Sequence, residues 1–355
     1  MADAGPSAKS PPQTPVPGRI VRPEFTASAG EYFRIWIVNL LFTLLTAGIY
    51  SAWAKVRKKR YFYGSTKFDG ATFDYFASPR AILNGRIIAF AVFVVYAISG
   101  DLYPQSHFAF LAVGGLALPW LVVRALGFNA RNSAWRGVRF DFTATTRQAI
   151  TVYIGYFLIV VLTLGLAYPW FVARQKAFVI ASHALGKSRF GCDMPARALY
   201  GIYIRASGLM MLLVAPLVGL MTFAVAKLPV AENLQWLRVG LLLVPMYAAY
   251  VAVYAYSQAR TQNLMWNSAY GPGLRFSSTL SAVRLARIYI GNIVVAACSA
   301  GLLIPWAVVR TMRYRLEQFA VVVEGDPVHE ASPALARVGA TGQELGDFFN
   351  LDLGL

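Results

Sequence analysis

The chain contains little of what builds a metal centre or a disulfide framework. Its 355 residues include only two cysteines and three histidines. Cys192 and Cys298 lie far apart, so no disulfide framework is expected. His107, His183 and His329 fall in three different segments, and neither an HExxH motif nor paired CxxC motifs are present. We therefore expect no metal site and no cofactor.

Charged residues are also scarce, at 14% of the chain, whereas 57% is hydrophobic and the mean hydropathy is +0.51. That balance excludes an ordinary water-soluble globular protein. A GxSxG elbow is missing, and neither cysteine lies beside a histidine in sequence. The sequence therefore predicts a membrane protein that is not an enzyme.

The few charges are mostly positive, with 33 lysines and arginines against 16 acids and a net charge of +17. The basic residues cluster beside apolar segments, for example Lys55 to Arg60 after the first apolar run. This placement is typical of the positive-inside rule and of contact with anionic lipid headgroups. We expect membrane lipids as partners and no nucleic acid.

Seven apolar runs are candidates for crossing the membrane, which needs roughly 20 apolar residues. They cover about residues 35–53, 87–100, 108–123, 149–171, 200–226, 238–257 and 288–309. The predicted fold class is an all-α membrane protein of about seven transmembrane helices, with internal repeats and short polar connections that resemble β-hairpins.

One motif occurs four times, each time at the end of an apolar run. It consists of a glycine, a tryptophan five residues later, and an arginine four residues after the tryptophan. The copies are Gly48, Trp53, Arg57; Gly115, Trp120, Arg124; Gly165, Trp170, Arg174; and Gly301, Trp306, Arg310. Tryptophan favours the membrane interface, and arginine can reach phosphates. We interpret the motif as a repeated interfacial anchor.

A second pattern follows the motif, in which a glycine precedes alternating aromatic and polar residues, as at Gly70, Gly137 and Gly273. This alternation predicts short strands. The two patterns together indicate about five repeat units over residues 25–320. We expect a disordered Pro/Ser-rich tail at 1–24 and an acidic tail at 321–355, which could dock on the basic hairpins or stay solvated.

The repeats leave the membrane topology open. Some units have room for only one helix, which would place their basic flanks on opposite sides of the membrane. Alternatively those segments dip into the membrane and return, with a break near 45–48 or 162–165. We predict seven spans because the arginine-to-tryptophan distance is about one crossing long. The orientation of the termini and the oligomeric state stay open.

Polar residues within apolar helices are the best binding candidates: Arg34, Asn39, Arg86, Arg205, Arg287 and Asn292. Such residues face a cavity, pair with each other, or snorkel to the interface. Snorkelling is the alternative to a site for a solute or a lipid headgroup.

The segment Phe33 to Leu41, the motif Gly48 to Arg57, and Asp69-Gly70 with Phe73-Asp74-Tyr75 resemble the YjgN family of bacterial inner-membrane proteins. Residues Glu344 to Phe349 resemble that family's C-terminal signature. The resemblance implies a multi-pass protein of the inner membrane and supplies no substrate or reaction. From the residues we expect transport or a channel for a small, anionic solute, with a structural or lipid-handling role as the alternative.

Overall fold

The computed structural model describes residues 18–227, 235–271 and 273–324, in which short strands alternate with helices. Twelve strand segments lie within these ranges, so the predicted all-α class is wrong. Their bounds are β1 Arg19–Val21, β2 Glu24–Phe25, β3 Thr66–Phe68, β4 Ala71–Tyr75, β5 Ser133–Trp135, β6 Val138–Phe142, β7 His183–Leu185, β8 Ser188–Arg189, β9 Gly191–Cys192, β10 Ala269–Gly271, β11 Leu274–Ser278 and β12 Phe319–Val323.

The strands close into one ring. In the described ranges they form two antiparallel sheets, ordered β2-β3-β4-β5-β6-β7-β8 and β1-β12-β11-β10-β9. The sheets share two bent strands, because only Arg22 and Pro23 separate β1 from β2, and only Phe190 separates β8 from β9. The ring is completed where Ile20 pairs with Val322, so the first strand lies beside the last.

A packed apolar core fills the middle of this ring. Phe68, Trp135, Leu185, Leu274 and Val321 are buried in one cluster, although they come from strands all around the ring. The indole N–H of Trp135 donates to the Phe68 carbonyl at 3.1 Å, which satisfies its only polar atom. The axis of the strand ring is therefore occupied by side chains.

Within the part of the chain that the structure describes, five helical hairpins leave the ring and return to it. In each, the first arm is called the outgoing helix and the second the return helix. The pairs are α1 Ala29–Leu45 with α2 Ser51–Gly64; α3 Pro79–Leu102 with α4 Ser106–Arg131; α5 Thr146–Ile150, a π-helical turn Thr151–Gly155 and α6 Tyr156–Leu162 with α7 Tyr168–Ala181; α8 Ala196–Lys227 with α9 Gln235–Asn267; and α10 Ala282–Cys298 with α11 Ile304–Glu317. All five hairpins therefore begin and end at one layer of strands.

Side-chain caps start several outgoing helices directly after a strand. The Ser28 hydroxyl accepts from the Glu31 N–H at 3.2 Å, and Thr145 forms a reciprocal capping box with Gln148. Ser281 caps α10 in the same way as Ser28 caps α1. Capping satisfies N–H groups that a helix start otherwise leaves unpaired, so these residues fix where the chain turns from strand to helix.

The hairpins pack side by side around the ring. Each return helix packs against the next outgoing helix, in the pairs α2 with α3, α4 with α5, α7 with α8, and α9 with α10. The last return helix, α11, packs against α1, so the helical layer closes at the same seam as the strands. Val309 of α11 lies there in one buried cluster with Tyr32 and Phe62.

Three hairpins turn sharply at the glycine of the repeated motif. These glycines have positive φ angles, a conformation that other residues adopt at a cost: Gly48 (+93°), Gly165 (+88°) and Gly301 (+87°). Each glycine N–H donates to a carbonyl five residues earlier: Gly48 to Thr43 at 2.8 Å, Gly165 to Val160 at 2.8 Å, and Gly301 to Ala296 at 2.7 Å. This geometry ends the outgoing helix and folds the chain back on itself.

The predicted seven transmembrane helices are therefore wrong. The runs 35–53, 149–171 and 288–309 each contain one of these glycine turns, so each folds back where one straight crossing was expected. Within the described ranges, three helices are long and apolar enough to cross a membrane, Pro79–Gly100, Ser106–Arg131 and Ala196–Phe223. Thr146–Leu162 is a shorter apolar helix. The turns at Gly48 and Gly165 lie where the alternative arrangement expected a break, near 45–48 and 162–165.

The strands that the structure describes extend slightly beyond the predicted domain limits of 25 and 320. Strand β1 begins at Arg19, and β12 ends at Val323. Residues 1–17 and 325–355 lie outside the described ranges, and they hold most of both predicted tails and the C-terminal signature.

Candidate functional site

The tryptophan and arginine of the repeated motif contact each other in three of its four copies. The guanidinium lies over the indole in the pairs Arg124 and Trp120 (5.6 Å), Arg174 and Trp170 (5.9 Å), and Arg310 and Trp306 (5.0 Å). Residues four apart share a helix face, which brings the cation over the aromatic ring. The spacing of the motif is thus the spacing of an intrahelical cation–π pair.

All four tryptophans occupy the same place relative to the strand ring. Trp53, Trp120, Trp170 and Trp306 each lie 13 residues before the first residue of the following strand. At about 1.5 Å per residue, this places each tryptophan about 20 Å along its return helix from the ring.

The structure reveals a fifth copy that the sequence pattern did not indicate. Tyr256 lies 13 residues before β10, and the guanidinium of Arg260 lies over its ring at 5.9 Å. Tyrosine replaces tryptophan here, and Val251 stands where the other copies have glycine. The available signal was the constant distance to the next strand, which needs the strand positions to be known. We call the five motif arginines, Arg57, Arg124, Arg174, Arg260 and Arg310, the arginine belt.

The arginine belt marks a sharp boundary in charge. Beyond it, toward the hairpin turns, residues 35–53, 148–173 and 288–309 contain no charged side chain. On the strand side, Lys58, Lys59 and Arg60 follow Arg57 within the first return helix alone. A belt between apolar helices and basic segments has the character of a membrane interface.

Two acidic side chains near the strands, Asp69 and Asp141, are paired with arginines outside the arginine belt. Asp69 forms ion pairs with Arg19 and, at 2.8 Å, with Arg136, and Asp141 accepts from Arg131 at 2.7 Å. None of the belt arginines has a carboxylate within ion-pair distance in the part of the chain that the structure describes. Their charge is therefore available to an external anion.

The candidate arginines of the outgoing helices fall into two groups. Arg34, Arg205 and Arg287 are exposed near the strand end of their helices. Arg86 is half-buried, and its guanidinium donates to the Ser51 hydroxyl at the start of α2. Arg86 therefore connects the second hairpin to the first.

The two candidate asparagines occupy equivalent positions but have different surroundings. The Asn292 amide N–H donates to the Thr311 hydroxyl at 2.9 Å and to the Ala307 carbonyl at 3.2 Å, and its oxygen accepts from Arg310 at 3.5 Å. Asn39 is buried, with 7% of its surface exposed, and its side-chain oxygen has no hydrogen-bond donor among the described residues.

The motif glycines do not all have one role. Gly48, Gly165 and Gly301 form the hairpin turns described above. Gly115 instead lies inside α4, within the long second hairpin, and it keeps a helical backbone. That hairpin thus retains the aromatic–arginine pair without the fold-back at the glycine.

The described ranges contain no group of three or more His, Cys, Asp or Glu side chains that could hold a metal ion. His183 lies in β7, where its Nδ1–H donates to the Val179 carbonyl at 2.7 Å. Burial lowers the pKa of His183, opposed by that hydrogen bond and by the charge of Asp141.

The apolar helices on the hairpin-turn side of the arginine belt are those of an integral membrane protein. Residues 21–348 match the family model described as "Bacterial protein of unknown function (DUF898)", and the chain belongs to this family. The YjgN resemblance read from the sequence is thereby confirmed.

Curated relatives agree on the location of such proteins. "Inner membrane protein YjgN" of Salmonella typhimurium is 33% identical over 129 residues, covering 35% of this chain and 32% of the relative. "Inner membrane protein YjgN" of Escherichia coli K12 is 26% identical over 149 residues, covering 40% of this chain and 35% of the relative. The matched stretch thus spans about a third of each relative, 32% and 35%. With its apolar helices, the chain is an inner-membrane protein, as predicted. No solved structure matches the chain.

Proposed function

We propose that this protein binds anionic lipid headgroups at the cytoplasmic face of the inner membrane through the arginine belt. The observation that carries the proposal is the recurrence of one aromatic–arginine unit at one level in all five hairpins. Arginine is suited to phosphate because its planar guanidinium donates two parallel hydrogen bonds. The aromatic ring beside it favours the headgroup region.

The distribution of charge supports the cytoplasmic orientation of the strand ring. All five hairpins start and end there, so every basic segment next to the helices lies on one side of the membrane. The positive-inside rule places such segments in the cytoplasm, where anionic lipids also attract them by about 1 kcal/mol per basic residue.

The lengths of the hairpins support an interfacial role. From Trp53 the first hairpin extends only a few residues to its turn at Gly48, so it enters the membrane shallowly. In the fourth hairpin, the segment Ala196–Phe223 of the outgoing helix is long and apolar enough to cross the hydrocarbon core. The protein thus combines a deep anchor with shallow hairpins that place their arginines among headgroups.

The test measures the lipids that remain on the purified full-length protein. Replacing all five belt arginines by glutamine should reduce the phosphatidylglycerol and cardiolipin that co-purify, as quantified by mass spectrometry. A matched control replaces Lys67 and Lys187, exposed cations of the strand ring, by glutamine. Unchanged anionic lipid in the belt variant, or equal loss in the control, would refute the proposal.

Transport of a small anionic solute is the second candidate, favoured by polar groups inside the hairpins. Asn39, Asn292 and Arg86 lie within otherwise apolar helices, where polar residues often belong to a solute path. The packed core of the strand ring argues against a permanently open axial channel. Anion flux into liposomes containing the protein, abolished by Asn292→Leu, would favour transport over lipid binding alone.

A further inference from the structure

The first hairpin departs from the other four at the arginine belt. Arg124, Arg174, Arg260 and Arg310 each lie over an aromatic ring of their own helix. Arg57 has no such contact among the described residues, and its side chain is exposed. The expected ring, Trp53, instead stacks on Tyr50 with centroids 6.1 Å apart and planes 11° apart.

The fifth hairpin shows what the first one lacks. Asn39 and Asn292 each lie six residues before the last residue of their helix, and Arg57 and Arg310 each lie twelve residues after it. In the fifth hairpin, Arg310 donates to the Asn292 oxygen at 3.5 Å. In the first hairpin, which the structure describes throughout, this bond is missing although both residues are present.

The missing bond leaves two complementary groups at equivalent places. The Asn39 oxygen is a buried acceptor, and a buried polar atom without a partner carries a substantial desolvation penalty. Among the described residues, no carboxylate lies within ion-pair distance of Arg57, and the next residue in the sequence, Lys58, is also positively charged. A ligand with an anionic group and a nearby hydrogen-bond donor would satisfy both.

We infer that the first hairpin holds the primary lipid site, and that this site selects an anionic phospholipid whose headgroup carries a hydroxyl. Arg57 binds the phosphodiester, and the Asn39 oxygen accepts from the hydroxyl. The ligand takes the place beside the asparagine that Arg310 takes in the fifth hairpin. This inference rests on the proposed function and adds which of five similar sites binds first and what it recognises.

Two lipids with the same headgroup charge, of which only one carries headgroup hydroxyls, provide the test. Dioctanoyl phosphatidylglycerol and dioctanoyl phosphatidylethanol have the same phosphodiester charge, but the second has an apolar ethyl head. Affinities for the full-length protein in detergent are measured by native mass spectrometry. Phosphatidylglycerol should bind more tightly, and Arg57→Gln should weaken it about tenfold, as expected for one lost charge-assisted hydrogen bond.

The variants of the fifth hairpin are the matched controls. Arg310→Gln should weaken phosphatidylglycerol much less than Arg57→Gln does. Asn39→Leu should remove the preference for phosphatidylglycerol over phosphatidylethanol, whereas Asn292→Leu should leave it. Folding is checked by thermal unfolding: Asn39→Leu, which removes an unpartnered buried acceptor, should keep or raise the melting temperature.

Three outcomes would overturn the inference: equal effects of Arg57→Gln and Arg310→Gln, no preference between the two lipids, or equally tight binding of free glycerol 3-phosphate. The last outcome would identify a soluble phosphate ester as the ligand. If the five-arginine variant loses its anionic lipid while Arg57→Gln and Arg310→Gln behave alike, the proposed function stands and this inference fails.

Discussion

Arg260 lies over the ring of Tyr256 at 5.9 Å, the same relationship that Arg310 has with Trp306 at 5.0 Å. The two pairs lie on the return helices of neighbouring hairpins, at the same distance from the next strand. The fourth hairpin, which is the longest, therefore keeps the cation–π pair that the second, third and fifth hairpins also have.

This relationship predicts that Tyr256 and Trp306 have equivalent effects. Each ring holds its arginine by a cation–π contact of about 0.5–2 kcal/mol. Tyr256→Leu and Trp306→Leu should each reduce co-purified anionic lipid to a similar, partial extent, measured by mass spectrometry. Tyr254→Leu, on the same helix as Tyr256 but without a belt arginine over its ring, should have little effect. A loss in the Tyr254 variant alone would contradict the equivalence.

The glycine turns lead to a stability prediction. Gly165 has a φ of +88° and no atom within 4 Å of an added Cβ, so alanine there meets backbone strain and no steric clash. Gly165→Ala should destabilise the fold by roughly 1–2 kcal/mol, seen as a lower unfolding temperature in detergent.

Gly115 is the matched control for that substitution. It belongs to the same motif and also has open space where a methyl group would be added, but its backbone is helical. Gly115→Ala should be neutral or stabilising by about 0.5–1 kcal/mol. Similar losses at both glycines would mean that the turn geometry is not the reason for the motif.

A third prediction concerns pH. Burial lowers the pKa of His183 in the folded protein below its ordinary value of 6.5. Between the two values the unfolded chain binds the proton more readily than the folded chain, so stability falls as pH drops below about 6.5. The unfolding temperature should decrease from pH 7.5 to pH 5.5, and less so in His183→Gln. Parallel curves for the two proteins would assign the pH dependence to other groups.

Local chemistry explains which features of the fold were predictable. The membrane class followed from composition, and the strands near Gly70 and Gly137 followed from alternation after a glycine. Both signals are contained in a few neighbouring residues. The motif spacing also appeared in the sequence, but its meaning as a cation–π pair required the helix to be known.

The features that were missed depend on contacts between distant residues. Hydropathy does not distinguish one straight crossing from a fold-back, so the positive φ at Gly48 or Gly301 was needed to separate them. Ring closure rests on pairing Ile20 with Val322, which no local pattern indicates. The difference between Asn39 and Asn292 likewise depends on contacts with the return helix, where Asn292 bonds to Thr311 and Arg310.

The central claim is that all five hairpins leave and re-enter on one side of the membrane, and cysteine accessibility tests it most directly. In a background lacking Cys192 and Cys298, single cysteines replace the exposed residues Lys67, Arg139, Lys187 and Arg275 of the strand ring, and Gln105 at the turn of the second hairpin. A membrane-impermeant maleimide added to intact cells should spare the four ring positions, and all four should react in inside-out vesicles. Gln105→Cys should not share that pattern. Labelling of Lys67→Cys and Lys187→Cys from opposite sides would contradict the account and restore plain transmembrane crossings.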